Sequence, residues 1–179
     1  MWLDRIVLLE DTARKSPNSS RAHYNLANAY LAAARNNDAA QEFEHALFLN
    51  PQLAYASYVL GNLYYSQGRL NEALANYQSA LMHKPGSWYA AYIHNGLGNV
   101  QLGLRNIDQA ITEYQAAIAL SLAYAEAYGN LGNAFAKQRR IQDARKAYET
   151  ALALNPNLSL TRRNLEALEQ KSKRIKQGK

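Results

Sequence analysis

Prolines stand at Pro17, Pro51 and Pro85, each 34 residues after the last, with Pro156 further on. A period of this size means that one supersecondary unit is stacked on copies of itself. Between the prolines the same order recurs: Leu26-Ala27-Asn28, Leu60-Gly61-Asn62, Leu97-Gly98-Asn99 and Leu131-Gly132-Asn133. Twelve residues after each Ala or Gly come Ala39, Ala73, Ala110 and Ala144. Phe43, Tyr77, Tyr114 and Tyr148 follow at i+4, and Ala46, Ala80, Ala117 and Ala151 at i+7. That spacing is one face of an α-helix. Each copy therefore reads as two helices, roughly 19–33 and 37–49 in the first. Turn residues such as Asn36-Asn37 or Gln67-Gly68 separate them, and proline ends the second.

Glycine and alanine recur where two helix backbones must approach closely, and aromatics fill the space beside them. One such pair cannot bury its apolar face alone, but stacked neighbours build a continuous core whose ends need separate treatment. The repeats predict one elongated domain rather than several compact ones. From Ser159 onward, Leu160, Leu165 and Leu168 are spaced to pack inward among mostly polar residues, which predicts a capping helix. With 48% hydrophobic and 19% charged residues, the chain has ample material for a core.

Tyr24-Asn25-Leu26-Ala27-Asn28-Ala29-Tyr30 and Ala125-Glu126-Ala127-Tyr128-Gly129-Asn130-Leu131-Gly132-Asn133 resemble tetratricopeptide repeats, and the resemblance covers about residues 17–156. It implies an all-α fold, a right-handed superhelix (α-solenoid) of antiparallel helix pairs. The expected division is residues 1–16 as the second helix of a truncated preceding repeat, then repeats at 17–50, 51–84, 85–121 and 122–155. Residues 156–179 form the capping helix and a basic tail. Two departures stand out. The third repeat has 37 residues between Gly61 and Gly98, and an insertion inside a helix would rotate its face, so the extra residues are expected at the start of that helix or in the loop before it. Ser121-Leu122 replaces the closing proline, which predicts a different end for that helix.

The resemblance further implies that first helices line an inner groove. The peptide-binding residues expected there are Tyr24, Asn25, Asn28, Tyr55, Tyr58, Asn62, Tyr65, Tyr92, Asn95, Asn99, Asn130 and Asn133, with Arg21, Leu31, Leu102, Glu126 and Lys137 on the same faces. Asparagine amides donate and accept, so a row of them pairs with the main chain of an extended peptide. The alternative is that Asn28, Asn62, Asn99 and Asn133 pair within the helix stack or simply face solvent. Some family members grip a peptide's C-terminal carboxylate with lysines; Tyr24, Tyr58, Asn95 and Gly129 occupy the lysine places here. The lining is closer to the asparagine-rich groove of the repeats in O-GlcNAc transferase, with Val59 and Gly96 interrupting it.

The function expected is a protein-interaction module holding an extended segment of a protein or peptide partner, not an enzyme, with no cofactor and no metal. A self-assembling scaffold is an alternative, stacking through the open N-terminal end with Trp2, Leu3 and Val7 exposed. Another is the soluble recognition domain of a larger bacterial membrane-bound glycosyltransferase, which the opening Trp2-Leu3 and Lys15-Ser16-Pro17-Asn18 resemble; its compartment would be cytoplasmic or periplasmic. There is no cysteine, which excludes disulfides and thiol chemistry. Of the net charge of +6, the segment from Ser159 holds +5, seven basic residues against Glu166 and Glu169. The near-neutral body excludes a nucleic-acid stripe, and no run is apolar enough for membrane insertion. The four histidines, His23, His45, His83 and His94, read as surface or packing residues at unrelated places, and Glu42, Glu44 and Glu113 as solvated helix faces.

Overall fold

The computed structural model describes residues 2–83 and 86–176, with side chains for 5–83, 86 and 89–171. Among the described residues all regular structure is α-helical. The chain divides into two compact units, Met1–Pro85 and Gly86–Lys179. The division falls where the lengthened third repeat begins. Among the described residues no helix is long and apolar enough to cross a membrane.

The first unit contains α1 (Trp2–Lys15), α2 (Ser20–Ala32), α3 (Asn36–Leu49), α4 (Ala54–Ser66) and α5 (Leu70–Met82). Helices α2 and α3 form one hairpin and α4 and α5 the next, while α1 packs on α2 and α3 on α4. Two hydrogen bonds repeat between these layers: the Tyr30 hydroxyl donates to Glu10 at 2.7 Å, and one repeat later the Tyr64 hydroxyl donates to Glu44. Val7 of α1 is exposed; the side chains of Trp2 and Leu3 lie outside the described residues.

The second unit contains α6 (Ser87–Gly103), α7 (Ile107–Leu120), α8 (Ala125–Lys137), α9 (Ile141–Leu154) and α10 (Ser159–Lys176). Helix α6 has 17 residues where α2, α4 and α8 have 13, so the added residues extend its N-terminal end and the face carrying Leu97-Gly98-Asn99 keeps its register. Tyr114, Leu131, Phe135, Tyr148 and Leu168 belong to one apolar core. Leu160, expected to pack inward, is 60% exposed. Its place is taken by Thr161, which lies against Gly129; the inward face of α10 runs through partly buried Thr161 and Leu165 and buried Leu168, and Leu160 is one residue off it.

The turn inside each hairpin is made the same way. Ala34, Gly68, Arg105 and Arg139 hold positive φ of 57°, 74°, 65° and 60°. In three of the four, an arginine follows, lies over an aromatic ring near the end of the first helix and bonds an acid three residues on. These are Arg35 over Tyr30 with Asp38, Arg69 over Tyr64 with Glu72, and Arg140 over Phe135 with Asp143. The acid also faces the positive helix N-terminus.

Proline is not needed to end the second helix. Asn50, Ser121 and Asn155 cap α3, α7 and α9 with φ of −144°, −148° and −142° and ψ of 94°, 93° and 97°. Contrary to expectation, α7 therefore ends as α3 and α9 do, while α5 ends at His83 with φ of −88° and ψ of 22°. Before a proline the extended backbone is sterically favoured; at Ser121 the tertiary frame holds the same conformation, with Tyr124 N–H donating to its carbonyl at 3.1 Å.

Burial pushes the hydroxyls of Tyr30 and Tyr64 up to about 12, aided by Glu10 and Glu44. A group whose folded pKa is raised stabilises fully below its unfolded value and loses that contribution as pH climbs to the folded one. Urea unfolding at rising pH is therefore expected to show stability falling between about pH 10 and 12, and less steeply in a Tyr30→Phe, Tyr64→Phe variant.

Candidate peptide-binding faces

Second helices form the back wall of each hairpin. Ala39, Phe43 and Ala46, and their counterparts through Ala144, Tyr148 and Ala151, are all buried. In three repeats the tyrosine ring lies directly on the glycine of the first helix. A methyl group on Gly61, Gly98 or Gly132 would sit 2.6, 2.5 or 2.5 Å from Tyr77, Tyr114 or Tyr148. The glycine is required by this approach. From there the hydroxyl reaches the next residue: Tyr77, Tyr114 and Tyr148 donate to Oδ1 of Asn62, Asn99 and Asn133 at 2.7, 2.8 and 2.8 Å. Burial raises the Tyr77 and Tyr148 pKa, keeping them as donors.

The first repeat has Phe43 and Ala27 instead, and without a hydroxyl partner Asn28 turns its Nδ2 to the Tyr24 carbonyl at 2.8 Å. Asn95 is buried, and its Oδ1 accepts from Asn130 Nδ2 at 3.0 Å, joining α6 to α8. These asparagines are thus tied into the helix stack. Asn62, Asn99 and Asn133 spend their carbonyl oxygens there, so each retains a donating NH2. Asn25 is exposed.

The tyrosines form a band on the first unit. Tyr24 and Tyr55 have ring centroids 6.1 Å apart, and Tyr55 and Tyr58 6.5 Å; Tyr58 meets Tyr77 at 6.1 Å. Tyr55 and Tyr65 are 43% and 40% exposed, so much of the band meets solvent. On the second unit Tyr92 lies 4.9 Å from Tyr124. Its α8, α9 and α10, with Leu102 of α6, border a cleft of about 820 Å³ lined by Asn133, Lys137, Arg139, Asn164 and Lys171, among others.

Asn164 and Lys171 were not among the residues expected from sequence. Asn164 Nδ2 donates to Asn133 Oδ1 at 2.8 Å, so α10 contributes to the first-helix face as well as closing the core. The signal was available: Asn164, Leu168 and Lys171 share one face at i, i+4, i+7.

The histidines and acids correct the sequence reading. His23 and His94 occupy the same place in the first and third repeats, and each meets an acid of the following helix. His23 Nδ1 is 2.6 Å from Glu42 and His94 Nδ1 is 2.7 Å from Glu113. Glu44 pairs with Tyr64. The spacing from His23 to His94, one standard and one lengthened repeat, was legible once the insertion was counted.

The family described as Tetratricopeptide repeat matches residues 8–53, 24–91 and 95–159. The chain belongs to the tetratricopeptide-repeat family. A comparison with curated proteins gave no match. Among solved structures, the tetratricopeptide fold of this chain is similar to that of MamA, with 22% identity over 84% of this chain and 86% of that one, and a TM-score of 0.78. It is similar to YrrB, described as a tetratricopeptide-repeat protein with an unusual peptide-binding site, at 19% identity over 92% and 84% of the chains, TM-score 0.74. The first tetratricopeptide domain of Spaghetti (RPAP3), bound to the HSP90 peptide SRMEEVD, has 27% identity over 66% of this chain and 94% of that one, TM-score 0.62.

Proposed function

We propose that this tetratricopeptide chain is a recognition module that holds an extended peptide segment of a partner protein on its first-helix faces. The observation carrying the reading is the orientation of the asparagines. With Oδ1 of Asn62 in the first unit, and of Asn99 and Asn133 in the second, bonded to buried tyrosines, the NH2 groups on each unit by itself suit the carbonyl oxygens of an extended main chain. Tyr24, Tyr55, Tyr58, Tyr65 and Tyr92 supply apolar area with a polar tip, at small conformational cost to the binder. Asn25, Asn28, Asn95 and Asn130 complete the set, the last two by fixing α6 against α8. Lys137, Arg139 and Lys171 around the cleft favour an acidic residue in the segment held there. Peptide binding by YrrB and RPAP3, as their descriptions state it, supports the same reading.

Peptides selected from a random displayed library against the intact chain supply the test. A Tyr58→Ala, Asn62→Ala variant of unchanged helicity is expected to bind them roughly tenfold or more weakly, as for a loss of about 1.4 kcal/mol or more. Equal binding would move the working surface to the helix ends or the outer face.

A further inference from the structure

His23 on α2 and Glu42 and His45 on α3 converge at one point in the first hairpin, and their ligating atoms lie within 4.8 Å of one another. His23 is 6% exposed. Its Nε2 lies 3.0 Å from the Pro17 carbonyl oxygen and its Nδ1 2.6 Å from Glu42 Oε2. Both oxygens are acceptors, so a ring with one N–H leaves one lone pair aimed at an oxygen. With the proton on Nε2, the Pro17 carbonyl orients the ring and Nδ1 becomes a ligand, as such a carbonyl does for histidines that hold metals. The His45 ring packs on that of His23, centroids 3.9 Å apart and tilted by 37°.

We propose that His23, Glu42 and His45 bind a divalent transition-metal ion of the zinc type, which clamps α2 to α3. Two imidazole nitrogens and one carboxylate oxygen are a zinc donor set, and zinc takes such ligands at about 2.0–2.2 Å. His45 is exposed and Glu42 partly exposed, so their side chains are the ones free to close on buried His23. Three protein ligands leave a fourth position for water or a partner's side chain, on the side of His45. The other repeats lack the set. The equivalent residues are Ser57, Asn76 and Ser79 in the second, where the two serine hydroxyls face each other at 3.4 Å, and Tyr128, Ala147 and Thr150 in the fourth. The third retains His94 and Glu113 but has Ala116 in the third place, giving a two-ligand control within the same molecule.

The test is titration of the full-length, tag-free chain with Co²⁺, read by its visible d–d absorption, and with Zn²⁺, read by calorimetry. One equivalent is expected to bind, and Zn²⁺ is expected to raise the melting temperature. His45→Ala, a substitution at an exposed position, and Glu42→Gln are each expected to weaken binding at least tenfold with helicity unchanged, whereas His94→Ala leaves it intact. Absence of binding, or equal binding by wild type and His45→Ala, overturns the proposal.

Discussion

Replacing Tyr114 with alanine is expected to cost about 4 kcal/mol, read as a lowered urea midpoint with loss of helicity in the second unit. The ring is fully buried between α6 and α7, within the core that includes Leu131, Phe135 and Tyr148. Removing it leaves a cavity beside Gly98, where no side chain exists to fill the gap. Tyr114→Phe separates ring from hydroxyl. It is expected to cost only about 1 kcal/mol, because Asn99 is partly exposed and water can replace the lost donor. A similar loss for both variants would show that the hydroxyl bond, not the ring, holds the hairpin.

The second large effect is at Gly132. Alanine there improves helix propensity by about 1 kcal/mol, yet its Cβ would lie 2.5 Å from the Tyr148 ring. The ring cannot easily retreat, since its hydroxyl is bonded to Asn133, which also accepts from Asn164. Overpacking should win, with a net loss of about 2 kcal/mol. The first repeat indicates how the strain is relieved: Ala27 and Phe43 stand at these two positions, both fully buried. Gly132→Ala combined with Tyr148→Phe is therefore expected to lose less than the sum of the two single variants, because a ring without its anchor can shift. Additive losses in the four-way cycle would mean that the hydroxyl does not hold the ring in place.

Both predictions rest on a correlation visible in the sequence. Glycine accompanies tyrosine at Gly61 and Tyr77, Gly98 and Tyr114, and Gly132 and Tyr148, while alanine accompanies phenylalanine at Ala27 and Phe43. The repeat marked the pair as neighbours. Only the structure shows that the hydroxyl goes on to the adjacent asparagine, and so which end of each amide is already used. That result changes the candidate site: Asn62, Asn99 and Asn133 use their oxygens within the stack and keep their NH2 groups as donors, whereas Asn28 uses its Nδ2 on the Tyr24 carbonyl.

Sequence alone determined the helical fold, the hairpin repeat and the buried face of each second helix. These depend on local periodicity, and one repeat's solution is copied in the next. The first hairpin, expected at about 19–33 and 37–49, was found at Ser20–Ala32 and Asn36–Leu49. Tertiary structure decided what local periodicity does not carry. It divided the chain at the start of α6, ended α7 without proline, turned Leu160 outward, and brought Asn164 and Lys171 of α10 to the cleft. It also brought His23 to Glu42 and His45. The physical reason is common to all of these: each depends on residues of different helices, whose approach is set by packing between helices rather than by spacing along one.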